Sequence, residues 1–292
     1  MGTAIRLAGR NVRVFVRNRT SVFFSFLSVL IIIGLYALFL GRVQVNGIRA
    51  VVGDIAGIRP LVDSWIMAGL LSVNAVTITL GVLGTMVFDV EHKRFSDFVV
   101  APVRRSSVVV SYLISAWVIG LLFSLIALVA AELYIVSGGG QLLSAVQALE
   151  VVEMLALAVV SSSSIMYLVA SFLRSGSAFG VLSTLLGTLI GFITGVYVPM
   201  GVLPDAVQKF VVLVPFSHSA SMLRQVFCEI PLAMVFAGAP PSAQAGYVRT
   251  YGIRLFWGDT EISMTVMLAV LAAVAVVFLL LSALKLRSYN KG

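Results

Sequence analysis

Six stretches of this chain, 21–40, 62–88, 108–135, 151–173, 178–198 and 262–284, each run for twenty residues or more with almost no charge. A helix needs about 20 mostly apolar residues to cross the hydrocarbon core of a bilayer, where it must satisfy its own backbone. The runs therefore predict an all-α integral membrane protein with six transmembrane helices. Composition closes the other routes. Hydrophobic residues make up 60 % of the 292 and charged residues 11 %, whereas a soluble surface calls for about 25 %. A lone cysteine, Cys228, excludes a disulfide scaffold.

A further apolar region is cut by Pro204, Pro215 and Pro231 into 206–214 and 216–227. Each piece is too short to span, so a re-entrant or interfacial helical hairpin is expected between spans five and six. An even number of spans puts both termini on one side. That side holds 13 of the 20 Lys and Arg and 3 of the 12 Asp and Glu, a net +10 against −2 opposite. Positive charge collects on the cytoplasmic face, so both termini are expected in the cytoplasm of a cell (plasma or inner) membrane. The first apolar run exceeds the 7–15 residues of a signal peptide and no small-x-small site follows Leu40, so it reads as a retained helix.

Within residues 1–19, Arg6, Arg10, Arg13 and Arg17 are spaced 4, 3 and 4, which places them within about 60° of one another on a helix. Ile5, Val12, Phe15 and Val16 fall on the other flank. This is an amphipathic interfacial arm, its guanidinium stripe expected toward water and anionic headgroups. Aromatic interleaving is lacking, so nucleic acid is not an expected partner.

The substantial cytoplasmic loop, 89–105, reads DVEHKRFSDFVVAPVRR. Its mixed charges surround an apolar patch of Phe95, Phe98, Val99 and Val100 and stop at Pro102. A short surface helix presenting an apolar knob to another protein's groove and an ordinary solvated loop both fit this composition.

Span two carries Asn74, Thr77, Gly81 and Gly84 on one face, and span four carries Ser161, Ser164, Tyr167 and Ser171. Polar groups in hydrocarbon turn inward, where they either line a path or bond helix to helix. Gly187, Gly191 and Gly195 form two overlapping GxxxG units in span five, extended toward Gly180 and Thr184, and suit close packing within the chain or with a second copy. Asp63, Glu132, Glu150 and Glu153 fall at outer span ends, facing Arg42, Arg59 or Lys209, and His92 and His218 stand alone without metal-ligand spacing. Neither a GxxxxGK[ST] phosphate loop nor a GxSxG, HExxH or CxxC motif occurs. The chain is therefore expected not to be an enzyme and to hold no cofactor or metal.

Two stretches carry a family resemblance over nearly the whole chain, read as one domain, 1–292. EHKRFSDFVVAPVRRSSVVVSYLIS resembles the coupling segment of ABC-2 type ABC exporter permeases, with Glu91, Arg94, Asp97, Pro102 and Arg105 matching its pattern and Phe95 standing where many members have Gly. GFITGVYVPMGVLPDAVQKFVVLVPFSHSASMLRQ resembles that family's outer hairpin, with Pro199, Leu203, Pro204, Pro215, Ser217 and Arg224 in place and His218 where Tyr is common. The resemblance implies a multidrug- or antibiotic-export-like permease. Two permease chains, as a homodimer or a pair of sister permeases, would surround a path. A separate soluble ATPase, holding ATP and Mg, would dock on Phe95 to Val100. The short helices after Pro204 would cap the outer end as a valve. An apolar path suits an amphipathic small molecule (a drug, antibiotic or lipid). An ATP-independent secondary transporter or channel and a purely structural subunit are the competing classes. Pro240, Pro241, Tyr247, Tyr251 and Trp257 mark a small outer element within 239–261, part of the outer hairpin and loop region 199–261.

Overall fold

A computed structural model of the chain describes residues 2–53, 55, 57–94 and 105–288. The basic arm is α1 (Gly2–Arg17), which turns at Asn18 into α2 (Arg19–Leu35). One π-helical turn (Tyr36–Leu40) then leads into α3 (Gly41–Val52). The long helices follow: α4 (Ile58–Glu91), α5 (Arg105–Ser137), α6 (Ala145–Ala170) and α7 (Gly176–Ile193). Next come α8 (Asp205–Leu213), α9 (Pro215–Val235), α10 (Pro241–Thr250), the hairpin strands β1 (Phe256–Trp257) and β2 (Thr260–Glu261), and α11 (Met264–Ser288).

Five of these helices, α4, α5, α6, α7 and α11, are long and apolar enough to cross a membrane. The protein is a multi-span, almost entirely helical membrane protein. Among the described residues the only strands are the two-residue β1 and β2, paired Phe256 with Glu261 and Trp257 with Thr260.

Helix α4 is the axis. Of its 34 residues 26 are buried, as expected of a helix apolar on every side. It packs against α5, α6, α7 and α9. Glycine permits two of these approaches. A Cβ on Gly84 would lie 2.6 Å from the Phe179 ring of α7, and one on Gly69 would lie 2.8 Å from the Arg224 side chain of α9. By contrast α7 and α11 are mostly exposed along their apolar stretches, so their outer faces are suited to lipid or to another chain.

Beyond the first span, residues 41–52 continue as helix through Asn46-Gly47 and end before Gly53 at φ +84°. Two expectations about helix ends are corrected. Span five ends at Ile193 rather than 198: Thr194 caps it and Gly195 takes φ +69°. Pro231 does not cut the segment after Pro215, for α9 runs through it as a 21-residue helix. Tertiary packing outweighs the missing N–H there, since the last turn of α9 lies against the start of α4, where Gly57 sits beside Met234 and Val235.

Candidate functional site

The arm packs on α5 through a stripe of Ala4, Ala8, Asn11 and Phe15, spaced 4, 3 and 4 like the arginines but turned inward. Phe15 meets Phe123 edge-on at 6.0 Å, and Asn11 Nδ2 donates to Ser111 Oγ at 3.3 Å. Arg6, Arg13 and Arg17 are exposed. Arg10 departs from the water-facing stripe expected for it: it turns toward α4, because the buried carboxylate of Asp89 outcompetes water for it.

Asp89 is 3 % exposed near the end of α4. Arg10 reaches it with two nitrogens, at 2.5 and 3.0 Å, the forked geometry that makes arginine–carboxylate pairs strong. This partner holds the Arg10 guanidinium above its ordinary pKa. Tyr112 of α5 donates to the same carboxylate at 2.7 Å, and Arg94 approaches it at 3.7 Å. Two residues on, Glu91 accepts from the Gly176 N–H at 3.0 Å, an anion at the positive N-terminus of α7. The last turn of α4 thus ties α1, α5 and α7 together where the 89–105 segment begins. Glu91 and Arg94 lie at this junction, and Arg105 opens α5. Phe95, Asp97, Phe98 and Pro102 lie outside the described residues.

The polar faces of the spans bond mainly to backbone and to neighbouring helices. Asn74 Nδ2 lies 3.5 Å from Ser124 Oγ of α5, and Ser72 pairs with Ser219 of α9 at 2.6 Å. Trp117 of α5 donates to Ser163 of α6 at 2.8 Å. Thr77 and Ser164 bond to carbonyls of their own helices, and Ser171 accepts from Lys285 of α11 at 2.8 Å. Tyr167 is buried. Two cavities lie at the opposite end, between 57–64, 139–147 and 226–237, and none of these polar span residues lines them.

The three glycines of span five have separate surroundings. Gly191 accommodates the Tyr197 ring of its own chain, Gly195 lies past the helix end, and a Cβ on Gly187 would meet nothing within 4 Å. Tyr36, turned inward by the π-helical turn, donates to the Val196 carbonyl just beyond.

At the far end, Pro199 precedes a 3-10 turn (Met200–Val202), and Leu203 offers its carbonyl to Gln208 at 2.7 Å. Pro204 caps α8 and Pro215 starts α9, both positions that need no donated N–H. Ser217 and the His218 Nε2 bond the carbonyls of Val211 and Val212, each at 2.7 Å, which closes the elbow between the two helices. Arg224 is buried on the α4-facing side of α9, over the Trp65 ring.

Asp89 and Tyr112 were not singled out in the sequence. An acid at the basic end of an apolar helix, beside an arginine-rich arm, was the available signal.

Long apolar helices around a buried axis and polar groups bonded mostly within the bundle define a multi-span, helical membrane protein. Residues 4–228 match the ABC-2 type transporter family, and the chain belongs to that family. Its members are permease subunits without catalytic chemistry, and they typically pair with a soluble ATPase subunit. Among curated proteins no sequence matches the chain closely.

Proposed function

We propose that this chain is the membrane-spanning subunit of an ATP-driven exporter, moving an amphipathic small molecule such as a drug, antibiotic or lipid out of the cytoplasm or the inner leaflet. A separate ATPase, which holds the ATP and Mg, docks on segment 89–105 and pushes on it. The observation that carries this reading is the Asp89 junction. A displacement of the segment acts on Arg94 and Glu91 and so reaches α1, α4, α5 and α7 together, rather than one helix alone.

Residues 19–40, covering α2 and its π turn, make roughly 30 Å of helix, enough for a sixth span. Both termini are then cytoplasmic and α8–α9 is a re-entrant hairpin that acts as the outer valve. The single domain pairs with a second permease, identical or sister, through the open face of α7. Substrate moves between the two chains, which fits the bonding of the spans' polar groups to helix neighbours within each one.

The test is a mild-detergent pull-down of the tagged chain from its native membranes, with mass spectrometry of what accompanies it. A stoichiometric soluble protein with a phosphate-binding loop, lost when Phe95 and Phe98 are both changed to Asp, is the expected result. An intact, oligomeric chain with no ATPase would overturn the reading and point to an ATP-independent transporter or channel.

A further inference from the structure

Arg224 is 2 % exposed, and among the described residues no carboxylate lies within ion-pair distance of it. Its Nε donates to the Trp65 carbonyl at a long 3.4 Å, and its guanidinium carbon lies 4.7 Å from the centre of the Trp65 ring. The Nη2 nitrogen is buried and has no hydrogen-bond partner. A second buried donor, the Tyr247 hydroxyl on α10, is likewise unpartnered, and its ring stacks on Tyr251, which meets the same Trp65 ring edge-on at 5.2 Å.

Glycines from three separate elements bring backbone close to the guanidinium, with the Val196 side chain beside Gly69. A Cβ on Gly69 would come 2.8 Å from Nη2, and Cβ atoms on Gly195 and Gly252 would come 3.4 and 3.5 Å from Nη1. The C-terminus of α7 offers partial negative charge nearby, yet it supplies no acceptor to Nη2. A buried guanidinium without a counter-charge is unfavourable. A charged donor and a neutral donor, both waiting for an acceptor beside an aromatic wall, match the needs of an oxyanion on an apolar body.

We infer that Arg224 and Tyr247 form a binding site for the carboxylate or phosphate group of an anionic amphiphile. The site is closed here by α4 and by the 195–200 turn, and it is reached when the α8–α9 hairpin parts from them. Naming that amphiphile as cargo rests on the exporter reading; the binding itself does not.

Two sources could supply the group, a bilayer lipid or a free amphiphile, and one experiment separates them. The chain in neutral maltoside micelles is mixed in turn with oleate, phosphatidylglycerol and uncharged monoolein, and retained adducts are counted by native mass spectrometry. The expected result is one anionic amphiphile per chain, held at least about tenfold more tightly than monoolein, as a hydrogen bond to a charged group implies. Preferential retention of phosphatidylglycerol assigns the site to a resident lipid, and preferential retention of oleate to a free amphiphile. Arg224→Gln abolishes the preference. Tyr247→Phe, which keeps the ring stacked on Tyr251 at 4.1 Å, weakens it without threatening the fold. Equal retention of monoolein, or variants that hold the anions as well as the parent, would overturn the inference. Because the ATPase takes no part, a failed pull-down sinks the exporter reading and leaves this one standing, and the reverse also holds.

Discussion

Arg10 and Asp89, 79 positions apart in the chain, meet in a two-pronged ion pair with nitrogen–oxygen distances of 2.5 and 3.0 Å. The carboxylate side of this pair is buried and the guanidinium side is about one-third exposed. Breaking it from either end therefore has unequal consequences. Losing Arg10 leaves Asp89 buried with only Tyr112 and the more distant Arg94, while losing Asp89 lets Arg10 turn to water.

The first prediction follows from that asymmetry. In a double-mutant cycle of Arg10→Ala and Asp89→Ala, followed by thermal unfolding in detergent, Arg10→Ala costs the more. The two are coupled by about 1–3 kcal/mol. Strictly additive effects would mean that the pair does not hold the arm. Protease cleavage within the arm reports the same event independently: it is faster in Asp89→Ala, because α1 then lacks its tie to α4.

Tyr36→Phe is a subtler test, aimed at the π-helical turn. The Tyr36 hydroxyl donates to the Val196 carbonyl, and both residues are buried. Removing the donor strands that carbonyl at a cost of about 1–3 kcal/mol. Thermal stability of the purified chain reads this directly. An unchanged melting temperature would show that the turn is not anchored at Val196.

Gly191→Ala separates two readings of the small residues in span five. A methyl group there runs into the Tyr197 ring of the same chain, which stacks edge-on against Phe192 at 5.3 Å. Overpacking of this kind costs about 1–3 kcal/mol, reduced by the gain in helix propensity of just under 1 kcal/mol. The expected result is a modest loss of stability that disappears in a Tyr197→Ala background. Loss of self-association with stability unchanged would instead assign Gly191 to a contact between chains.

The apolar runs were readable because twenty uncharged residues have few other fates, and the arm because its arginines repeat with helical period. Their ends were harder to place. Residues 41–52 are polar and carry Asn46-Gly47, a turn signal, yet they stay helical as far as Gly53. Pro231 looked like a stop and is not one, because burial against the start of α4 carries the helix past it. The pairing of Arg10 with Asp89 has no local signature, since it depends on how α1 lies across α5. Arg224 could be matched to a family pattern, but its burial over Trp65 arises only when α4 and α9 pack.

The outer face of α7 yields the last prediction. Val181, Leu185, Leu189 and Phe192 are exposed along it. The hydroxyls of Thr184 and Thr188 are already bonded to carbonyls one turn back, at 3.0 Å each, so the face presents apolar surface with its polar groups satisfied. Gly187 lies on a different stripe of α7, with Gly180 and Thr184 and turned well away from those four apolar residues, and it has open space where a side chain would project. Gly187→Leu should therefore leave the fold intact, with stability unchanged or raised by a few tenths of a kcal/mol through helix propensity. If a second chain packs here closely enough to use the missing side chain, the same change shifts the detergent-solubilised protein from dimer to monomer in light scattering. A Gly187→Leu protein that stays dimeric would move the inter-chain contact off the glycine stripe of α7, while Gly187→Ala, with only one added carbon, should give an intermediate shift if the contact is there.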